Sequence, residues 1–466
     1  MSDESLKILS YIVDGRLGGR KPDSAEWAAK AIDEGVDVIS GQGTGMDAGA
    51  YFLGADKVLP LRRVDFEPLL LAAKRTETPF VFSMGGAAGA DVHLQQYLDV
   101  VDEICKDNGI KVRIAKISGE IDREYLRGKV REGAKIRRSI DSERISEYLT
   151  EEDVDRCCRV QAQLGPEPIM KAIEENDDID GVITGRALDV GIHMASPLLH
   201  GIDRSTSAHL AKIIECASMS AEPTGPFEAV VAEVQQGSFT VRCVHPNHTC
   251  TVRSVSSHSL YERENPFEER NPGGLLDVGQ AVYEQIDPET VRCSGGVWRD
   301  LPYTVKLEGA EQIGFQTGTL CAIRDPAMIA EIDHVIDQAR ETVLAESPVD
   351  DVDVSFKVLG LDSVLGTSEP LRETATPHEL GVLCVVTAPT QEIANTLANT
   401  ARLRVFFAQF KGRRSTAGNT AAPLQQMEFP LGPAYVFNIW HLLPLDDPCE
   451  PFTRRDYDFP VEEVTW

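Results

Sequence analysis

The stretch VDVISGQGTG (36–45) decides the fold, because a continuous apolar run passes directly into a glycine-bearing polar turn. The same order recurs in three later segments: PFVFSM (79–84) into GGAAG (85–89), KVRIAKI (111–117) into SGE (118–120), and GVI (181–183) into TGRALD (184–189). Apolar runs with little alternation are typical of strands buried on both faces, which indicates a largely parallel sheet. Ligands of such open sheets bind beyond the carboxyl ends of the strands. The four turns therefore predict one shared rim around a pocket.

The glycines of these turns are candidate ligand-binding residues, because glycine lets backbone N–H groups approach a ligand closely. They are Gly41, Gly43, Gly45, Gly85, Gly86, Gly89 and Gly185. A tight turn between strand and helix also needs glycine, and for any single turn that explanation is the simpler one. The recurrence of four such turns favours a pocket.

The fourth turn adds polar side chains, Thr184, Arg186 and Asp189, where a strand ends and a helix begins. A guanidinium group there could bind a carboxylate or phosphate through two parallel hydrogen bonds, and Asp189 could orient it or act as a base. An internal Arg–Asp ion pair accounts for the same residues equally well. Further candidates for proton transfer are Glu215 and His258, and Lys306 is a further candidate cation.

A second candidate site lies in the tail, in the segment FKGRRSTAGNTAAP (410–423). A basic, glycine-bearing loop on an acidic chain is suited to anion capture. The candidate ligand-binding residues of this loop are Arg413, Arg414, Thr416 and Asn419. A solvated charged loop is the alternative explanation.

Cofactor and metal motifs are missing from the sequence, which contains no GxGxxG, GxxxxGK[ST] or HExxH pattern. The segment RCVHPNHTC (242–250) offers two cysteines and two histidines, and a hairpin there would place all four on one face. This spacing is not one of the established zinc spacings. We therefore expect Cys243 and His248 to be packing residues, and we expect neither a metal nor a cofactor.

The charge of the chain limits its partners. A formal net charge of −28 over 466 residues argues against binding to nucleic acid or to an anionic membrane. No secretory signal is recognisable, and no apolar run reaches the roughly 18 residues of a membrane helix. Ten cysteines without disulfide-framework spacing indicate a reducing compartment. We expect a cytoplasmic homo-oligomer, in which the charged helical stretch between 120 and 180 is a candidate lid or dimer element.

The chain is predicted to be an α/β protein in three parts. Residues 1–224 form a domain with a largely parallel sheet, flanking helices and the glycine-rich turns. Residues 225–348 form an α+β domain whose antiparallel strands include HTCTVRSVSS (248–257). Residues 349–466 form a C-terminal α+β region that carries the STAGN loop (415–419).

Several separated stretches resemble the acyclic terpene utilisation (AtuA) family. They are HLAKIIECASMSAEPTG (209–225), SSHSLYERENPFEERNPGGLLDVG (256–279), VRCSGG (291–296), YTVKLEGA (303–310), TAPTQEIANT (387–396), STAGN and GPAYVFNIWHLLPLDDP (432–448). The resemblance implies an α/β protein encoded among catabolic functions, often beside acyl-CoA-handling enzymes and a small companion protein. It implies no catalytic residue set.

The residues and the resemblance together suggest a catabolic enzyme without a redox cofactor, acting on a small carboxylate or an acyl-CoA thioester. Lyase, hydratase or isomerase chemistry fits, because it needs only placed acid–base groups and a site for an anion. The alternative is a non-catalytic subunit that binds a ligand while a small companion subunit performs the chemistry.

Overall fold

The computed structural model describes residues 5–13, 23–56, 59–225 and 228–461. The helices in these ranges are α1 (Ser24–Asp33), α2 (Tyr51–Gly54), α3 (Arg63–Thr76), α4 (Asp91–Asn108), α5 (Arg123–Arg131), α6 (Glu151–Arg156), α7 (Pro166–Glu174), α8 (Asp189–Leu199), α9 (Arg204–Ile214), α10 (Val252–Ser259), α11 (Pro326–Ala330), α12 (Ile332–Glu346) and α13 (Gln391–Phe406). Within the described ranges, none of them is long and apolar enough to cross a membrane.

The strands in the same ranges are β1 (Leu6–Ser10), β2 (Val38–Gly41), β3 (Phe80–Ser83), β4 (Val112–Ile117), β5 (Arg137–Arg138), β6 (Cys157–Ala162), β7 (Gly181–Thr184), β8 (Val230–Gln235), β9 (Ser238–Cys243), β10 (Glu268–Asn271), β11 (Gly274–Asp277), β12 (Val282–Gln285), β13 (Thr290–Ser294), β14 (Val297–Asp300), β15 (Thr304–Ile323), β16 (Asp353–Leu359), β17 (Leu380–Ala388), β18 (Thr420–Ala421), β19 (Glu428–Pro444) and β20 (Arg454–Phe459).

Two compact units make up the chain. The first comprises Met1–Glu311 with Phe437–Trp466, and the second comprises Gln312–Val436. Strands β15 and β19 contribute residues to both units. The three-part division at residues 224 and 348 stays a prediction.

A ten-stranded mixed sheet forms the centre of the first unit, in the order β12-β13-β9-β8-β1-β2-β3-β7-β4-β20. Its middle strands β1, β2, β3, β7 and β4 are parallel to one another. The neighbouring strands β8 and β20 pair with them in the antiparallel sense. The predicted α/β class, with parallel strands and flanking helices, is confirmed.

Burial on both faces explains the apolar runs that predicted this sheet. In β3, the side chains of Phe80 and Phe82 join a core with helices α3 and α4, which contribute Leu69 and Leu98. Val81, between the two phenylalanines, joins a different core with residues of α7 and α8. Because successive strand residues point to opposite faces, a strand covered by helices on both sides has no polar face to show.

Two segments differ from their predictions. The prediction of a strand at 248–257 is wrong, because Val252–Ser259 form helix α10, which begins at a capping box. There Thr251 Oγ1 accepts from the Ser254 N–H, and Ser254 Oγ accepts from the Thr251 N–H. Conversely, residues 157–162 of the stretch predicted as helical form strand β6, which pairs antiparallel with the start of β15.

The second unit has its own core. Strand β17 pairs antiparallel with β16 and with residues 315–323 of β15. Helices α12 and α13 pack on these strands through Val343 and Leu397, which join Val386 of β17 in one core. The unit has the α+β character predicted for the later part of the chain.

Candidate functional site

The carboxyl ends of β2, β3 and β7 hold their turns side by side. Thr44 and Ala87 form an isolated parallel bridge, and the Gly45 N–H donates to the Ala87 carbonyl at 2.7 Å. The turn after β7 is equally close to the turn after β3, since a Cβ added to Gly89 would lie 2.7 Å from the backbone nitrogen of Arg186. The rim that the sequence predicted is present in the first unit.

The glycines make this close packing possible, but several of their N–H groups are already bonded within the protein. The Gly43 N–H donates to Ser83 Oγ at 3.1 Å, and the Gly185 N–H donates to the Ile117 carbonyl at 2.9 Å. Donation from the predicted glycines to a ligand stays a prediction. For Gly43 and Gly185 it would require these bonds to be replaced.

Arg186, a predicted anion-binding residue, lies buried against Glu308. Its Nε donates to Glu308 Oε2 at 2.9 Å, and its Nη1 donates to the carbonyls of Thr44 and Ala187 at 3.1 and 2.9 Å. Burial raises the pKa of Glu308, but Arg186 and Lys306 outweigh this effect and lower that pKa overall. Arg186 is therefore first a structural cation, and its binding of a ligand anion stays a prediction.

Lys306 lies on the other side of Glu308. Its Nζ is 3.3 Å from Glu308 Oε1 and 3.7 Å from the centre of the Trp440 ring. Desolvation lowers the pKa of Lys306, and the opposing attraction of Glu308 does not cancel that shift. The side chain is 26% exposed, so solvent reaches it. An accessible cation of this kind can bind an anion or exchange a proton.

Gln161 lies opposite Glu308 in the pairing of β6 with β15. A Cβ added to Gly119 would lie 2.9 Å from Gln161 Oε1. Gln161 is fully buried, and neither Oε1 nor Nε2 has a hydrogen-bond partner among the described residues. Because an unsatisfied buried amide costs free energy, it indicates a position where a polar group of a ligand would bind.

Asp189, the first residue of α8, brings a titratable group to the rim. Its Oδ1 lies 3.4 Å from Arg186 Nη1, and its Oδ2 accepts from Gln42 Nε2 at 3.3 Å. Desolvation raises the pKa of Asp189 to about 6, with Arg186 opposing this shift and Asp47 adding to it. The side chain is 32% exposed. A solvent-accessible carboxyl group that titrates near pH 6 is suited to general-base catalysis.

Glu215 lies in a second buried charge cluster, at the end of α9. Its Oε1 accepts from Lys212 Nζ at 2.5 Å, and the same Nζ lies 3.4 Å from Glu269 Oε1. Desolvation raises the pKa of Glu215 to about 8; Lys212 opposes the shift, and Glu269 and Asp189 add to it. Desolvation lowers the pKa of Lys212, but the two glutamates outweigh it and raise that pKa overall. The interaction of Asp189 with Glu215 shows that the two clusters are neighbours.

His258 borders this second cluster. Its ring stacks on Tyr261 with 4.7 Å between the ring centres, and a ring nitrogen lies within 4.8 Å of the Glu215 carboxylate and the Cys216 thiol. Desolvation lowers the pKa of His258 to about 3, so the ring is neutral at pH 7. A cavity of about 570 Å³ reaches His258 from the surface. Because Lys212 is bonded to Glu215, this cluster is better suited to proton transfer than to metal binding.

The segment 410–423, which includes the STAGN loop, belongs to the second unit. The two arginines that precede STAGN have different contacts. Arg413 donates to the carbonyls of Ser415 and Thr416, both at 3.0 Å, and the Asn419 amide donates to the Ser415 carbonyl at 3.2 Å. In the part of the chain that the structure describes, Arg414 is exposed and its guanidinium has no hydrogen-bond or ion-pair partner. Anion binding by this loop stays a prediction, for which Arg414 is the better placed residue.

A family model described as "Acyclic terpene utilisation family protein AtuA" matches residues 61–432. The chain belongs to this family. Membership indicates a role in acyclic terpene utilisation and confirms the resemblance found in the sequence. Comparisons with curated proteins and with solved structures give no match.

The range matched by the AtuA family model includes the candidate residues from Gly85 to Asn419 and leaves out the turn at 41–45. It also includes Glu308, Gln161 and Lys212, which sequence reasoning missed. Each of these is a charged or amide residue between two small or apolar neighbours, such as Glu308 between Leu307 and Gly309. That misfit between a residue and its neighbours is the signal that could have identified them.

Proposed function

We propose that this AtuA-family protein is an enzyme that transfers a proton on a small carboxylate or acyl-CoA thioester, in a lyase, hydratase or isomerase reaction. One observation carries the proposal: Asp189, with its pKa raised to about 6, lies at the rim beside Arg186. A carboxyl group with this pKa is ionised at pH 7 and is a stronger base than an unperturbed aspartate, as general-base catalysis near neutral pH requires.

The groups around Asp189 support the binding of an anionic substrate. Lys306 is a partly exposed cation 3.3 Å from Glu308. Gln161 lies opposite Glu308 in the strand pairing, and its amide has no hydrogen-bond partner among the described residues. A substrate carboxylate or thioester oxygen bound between Lys306 and Gln161 would receive a charged and a neutral hydrogen bond. Donors fixed before the reaction stabilise charge that develops on such an oxygen in the transition state.

Arg186 has a supporting role in this scheme. Its donors already bond to Glu308 and to backbone carbonyls, so it fixes the turn that carries Asp189. Its positive charge also limits how far desolvation raises the pKa of Asp189. Asp189 is therefore ionised near neutral pH and able to act as a base.

A thermal-shift screen of the full chain against acyl-CoAs and di- and tricarboxylates tests the proposal. A ligand at about 100 times its Kd should stabilise the protein by roughly 2.7 kcal/mol. Each hit is then incubated with the protein alone, and product formation is followed by mass spectrometry. Asp189→Asn should bind the hit and lose turnover, whereas Asp178→Asn, which alters an 83% exposed carboxylate, should keep both.

Turnover by Asp189→Asn at the wild-type rate would contradict the assignment of the base. Binding without any turnover by the wild type would favour the second possibility, a ligand-binding subunit that needs a companion protein. No binding to any member of the panel would reject the proposed substrate class.

A further inference from the structure

The ends of β8 and β9 bring together residues that are distant in the sequence. Val230 pairs with Cys243, and the Val244 N–H donates to the Ala229 carbonyl at 2.9 Å. Continuing this antiparallel register by one residue puts Glu228 opposite His245. Directly opposed residues share one face of the pair, so both side chains project to the same side.

A turn then adds His248 to the pair. The His248 N–H donates to the His245 carbonyl at 3.1 Å, which reverses the chain after β9. One possible ligand atom each from Glu228, His245 and His248 lies within 4.8 Å of the other two. Two imidazoles and one carboxylate are the ligand set of many zinc sites that keep a fourth position open.

Glu228 has a buried carboxylate oxygen that no described residue satisfies. The residue is 1% exposed, and its Oε2 is buried without a hydrogen-bond partner among the described residues. Its backbone is fixed, because the Glu228 N–H donates to Ser218 Oγ at 3.0 Å. A buried carboxylate oxygen without a partner is costly, and a bound cation would remove that cost.

One imidazole has the hydrogen-bonded outer partner of a metal-binding histidine, and the other has a carboxylate 3.7 Å from its ring nitrogen. His248 Nδ1 lies 2.9 Å from the Pro223 carbonyl, so it carries the ring proton and leaves Nε2 free. His245 Nδ1 accepts from the Asn247 N–H at 3.1 Å, which puts the proton on Nε2, 3.7 Å from Asp23 Oδ2. A metal bound through His245 Nδ1 would replace the Asn247 N–H and keep the proton facing Asp23.

Cys243 and Cys250 do not belong to this ligand set. Both thiols pack in the core between β8, β9 and α10. The Cys243 thiol donates to the Ala229 carbonyl at 3.4 Å. Neither cysteine belongs to the group of ligand atoms that Glu228, His245 and His248 form, which leaves both as packing residues.

We propose that Glu228, His245 and His248 bind one divalent transition-metal ion such as Zn²⁺. The sequence alone did not predict this site. The spacing of the two histidines gave no recognised zinc pattern, and Glu228 joins them only through strand pairing. This inference is independent of the reaction proposed above.

The test uses the full chain, purified without a histidine tag and freed of metal by a chelator. Isothermal titration with Zn²⁺ alone should give one ion per chain, and Mg²⁺ alone should give no binding, because Mg²⁺ prefers oxygen ligands. His248→Ala and Glu228→Gln should each weaken Zn²⁺ binding by more than about 100-fold, beyond the usual effect of losing an outer partner. Co²⁺ should give visible absorption bands that His248→Ala removes.

His378→Ala is the matched control, because His378 is an exposed histidine in the other unit. It should bind Zn²⁺ as the wild type does. Circular dichroism confirms that each variant is folded, and the half-exposed His248 is the safer position to change. A wild type that binds no Zn²⁺ at stoichiometric level, or a folded His248→Ala that binds it with unchanged affinity, would overturn the proposal.

Discussion

Glu308 has a charge in the interior because cations surround it closely. Burial alone would make its carboxyl group neutral, yet Arg186 and Lys306 lower its pKa. The Gln163 amide donates to Oε1 at 2.8 Å and satisfies a further lone pair. The residue therefore holds the two cations of the rim in place, and it determines where positive charge is available to a ligand.

Removing the charge of Glu308 should destabilise the fold. Glu308→Gln leaves the buried Arg186 without its partner, and breaking a buried pair in this way typically costs about 3–5 kcal/mol. Urea denaturation would measure the loss as a lower midpoint at an unchanged m-value. The control is Glu67→Gln, which breaks the solvent-accessible pair with Arg63 and should cost less than about 1 kcal/mol. Equal losses in both variants would show that burial of the Glu308 pair has no special weight.

Asp189 should give the pH–rate profile its acidic limb. A general base works when ionised, so kcat/KM should rise with pH and level off above the pKa of about 6. Asp189→Asn should lose activity by roughly 10²–10⁴-fold and lose this limb. The measurement is kcat/KM from pH 4.5 to 8 for a substrate found in the screen. An acidic limb that persists in Asp189→Asn would assign it to another group.

Among the helices and strands, the sequence pattern predicted those whose conformation depends on residues close to one another in the sequence. The strands β2, β3, β4 and β7 and their turns followed from apolar runs and glycines, because both faces of each strand are covered. Helix α10 was missed because its start depends on the Thr251–Ser254 capping box, while its composition is typical of a strand. Strand β6 was missed because its pairing with β15 joins residues about 150 positions apart, which no local pattern reports.

The close approach of turns at the rim should make Gly89 irreplaceable. Its φ is +66°, and an added Cβ would lie 2.7 Å from the Arg186 nitrogen. Gly109 is the matched control, because its φ is +63° and a Cβ there meets nothing within 4 Å. Gly109→Ala should cost about 1–2 kcal/mol from backbone strain alone. Gly89→Ala should cost about 1–3 kcal/mol more through overpacking. Equal denaturation midpoints for Gly89→Ala and Gly109→Ala would contradict the argument that the turns are too closely packed for a Cβ at Gly89.

In the segment 410–423, stability and ligand binding can be tested separately, because the two arginines that precede STAGN have different contacts. Arg413 bonds to backbone carbonyls of its own loop, so Arg413→Ala should mainly destabilise the second unit. Arg414 has no such bonds in the described chain, and Arg414→Ala should instead weaken the binding of an anionic ligand by roughly 1.5–3 kcal/mol. Asn419→Ala should weaken it less, since a neutral donor is lost. Calorimetric titration of a hit ligand against the variants measures this, and unchanged affinity in Arg414→Ala would mean that the loop is simply solvated.

At the scale of the whole molecule, the chemistry of the site depends on contacts across the sequence. Arg186 and Asp189 could be selected from one turn, because they lie three residues apart. Their partner Glu308 lies more than one hundred residues further on, and only the pairing of β6 with β15 shows its position. The same holds for Lys212 and Glu269, which meet through packing of α9. Sequence alone therefore predicted which turns lie together at the rim, but it did not predict the charge balance among the residues there.

Between about pH 6.5 and 8, that charge balance should make the stability of the molecule fall as pH rises. Below pH 6.5, the lowered pKa values of His193, His209 and His258 act in the opposite sense. Desolvation raises the pKa of Glu215 from a usual value of 4.5 to about 8, so between these pH values the folded state holds a proton that the unfolded state has lost. Stability decreases with pH wherever the folded state binds more protons, by at most about 1.4 kcal/mol per pH unit for one group. The raised pKa of Asp189 adds a fall of the same sign below pH 6.

Glu215→Gln removes the larger of these titrations and should flatten the decline between pH 6.5 and 8. The groups that face Glu215 are Lys212, Glu269, Asp189, Cys216 and His258. The shifted pKa values of Asp189 and His258 act below pH 6.5, and those of Lys212 and Cys216 act above pH 8. Urea midpoints at half-unit steps of pH would measure the slope. Glu174→Gln, at an exposed position on α7, is the control and should keep the wild-type slope. A Glu215→Gln curve parallel to the wild type would show that Lys212 keeps Glu215 ionised throughout, and that Glu215 then stores no proton for catalysis.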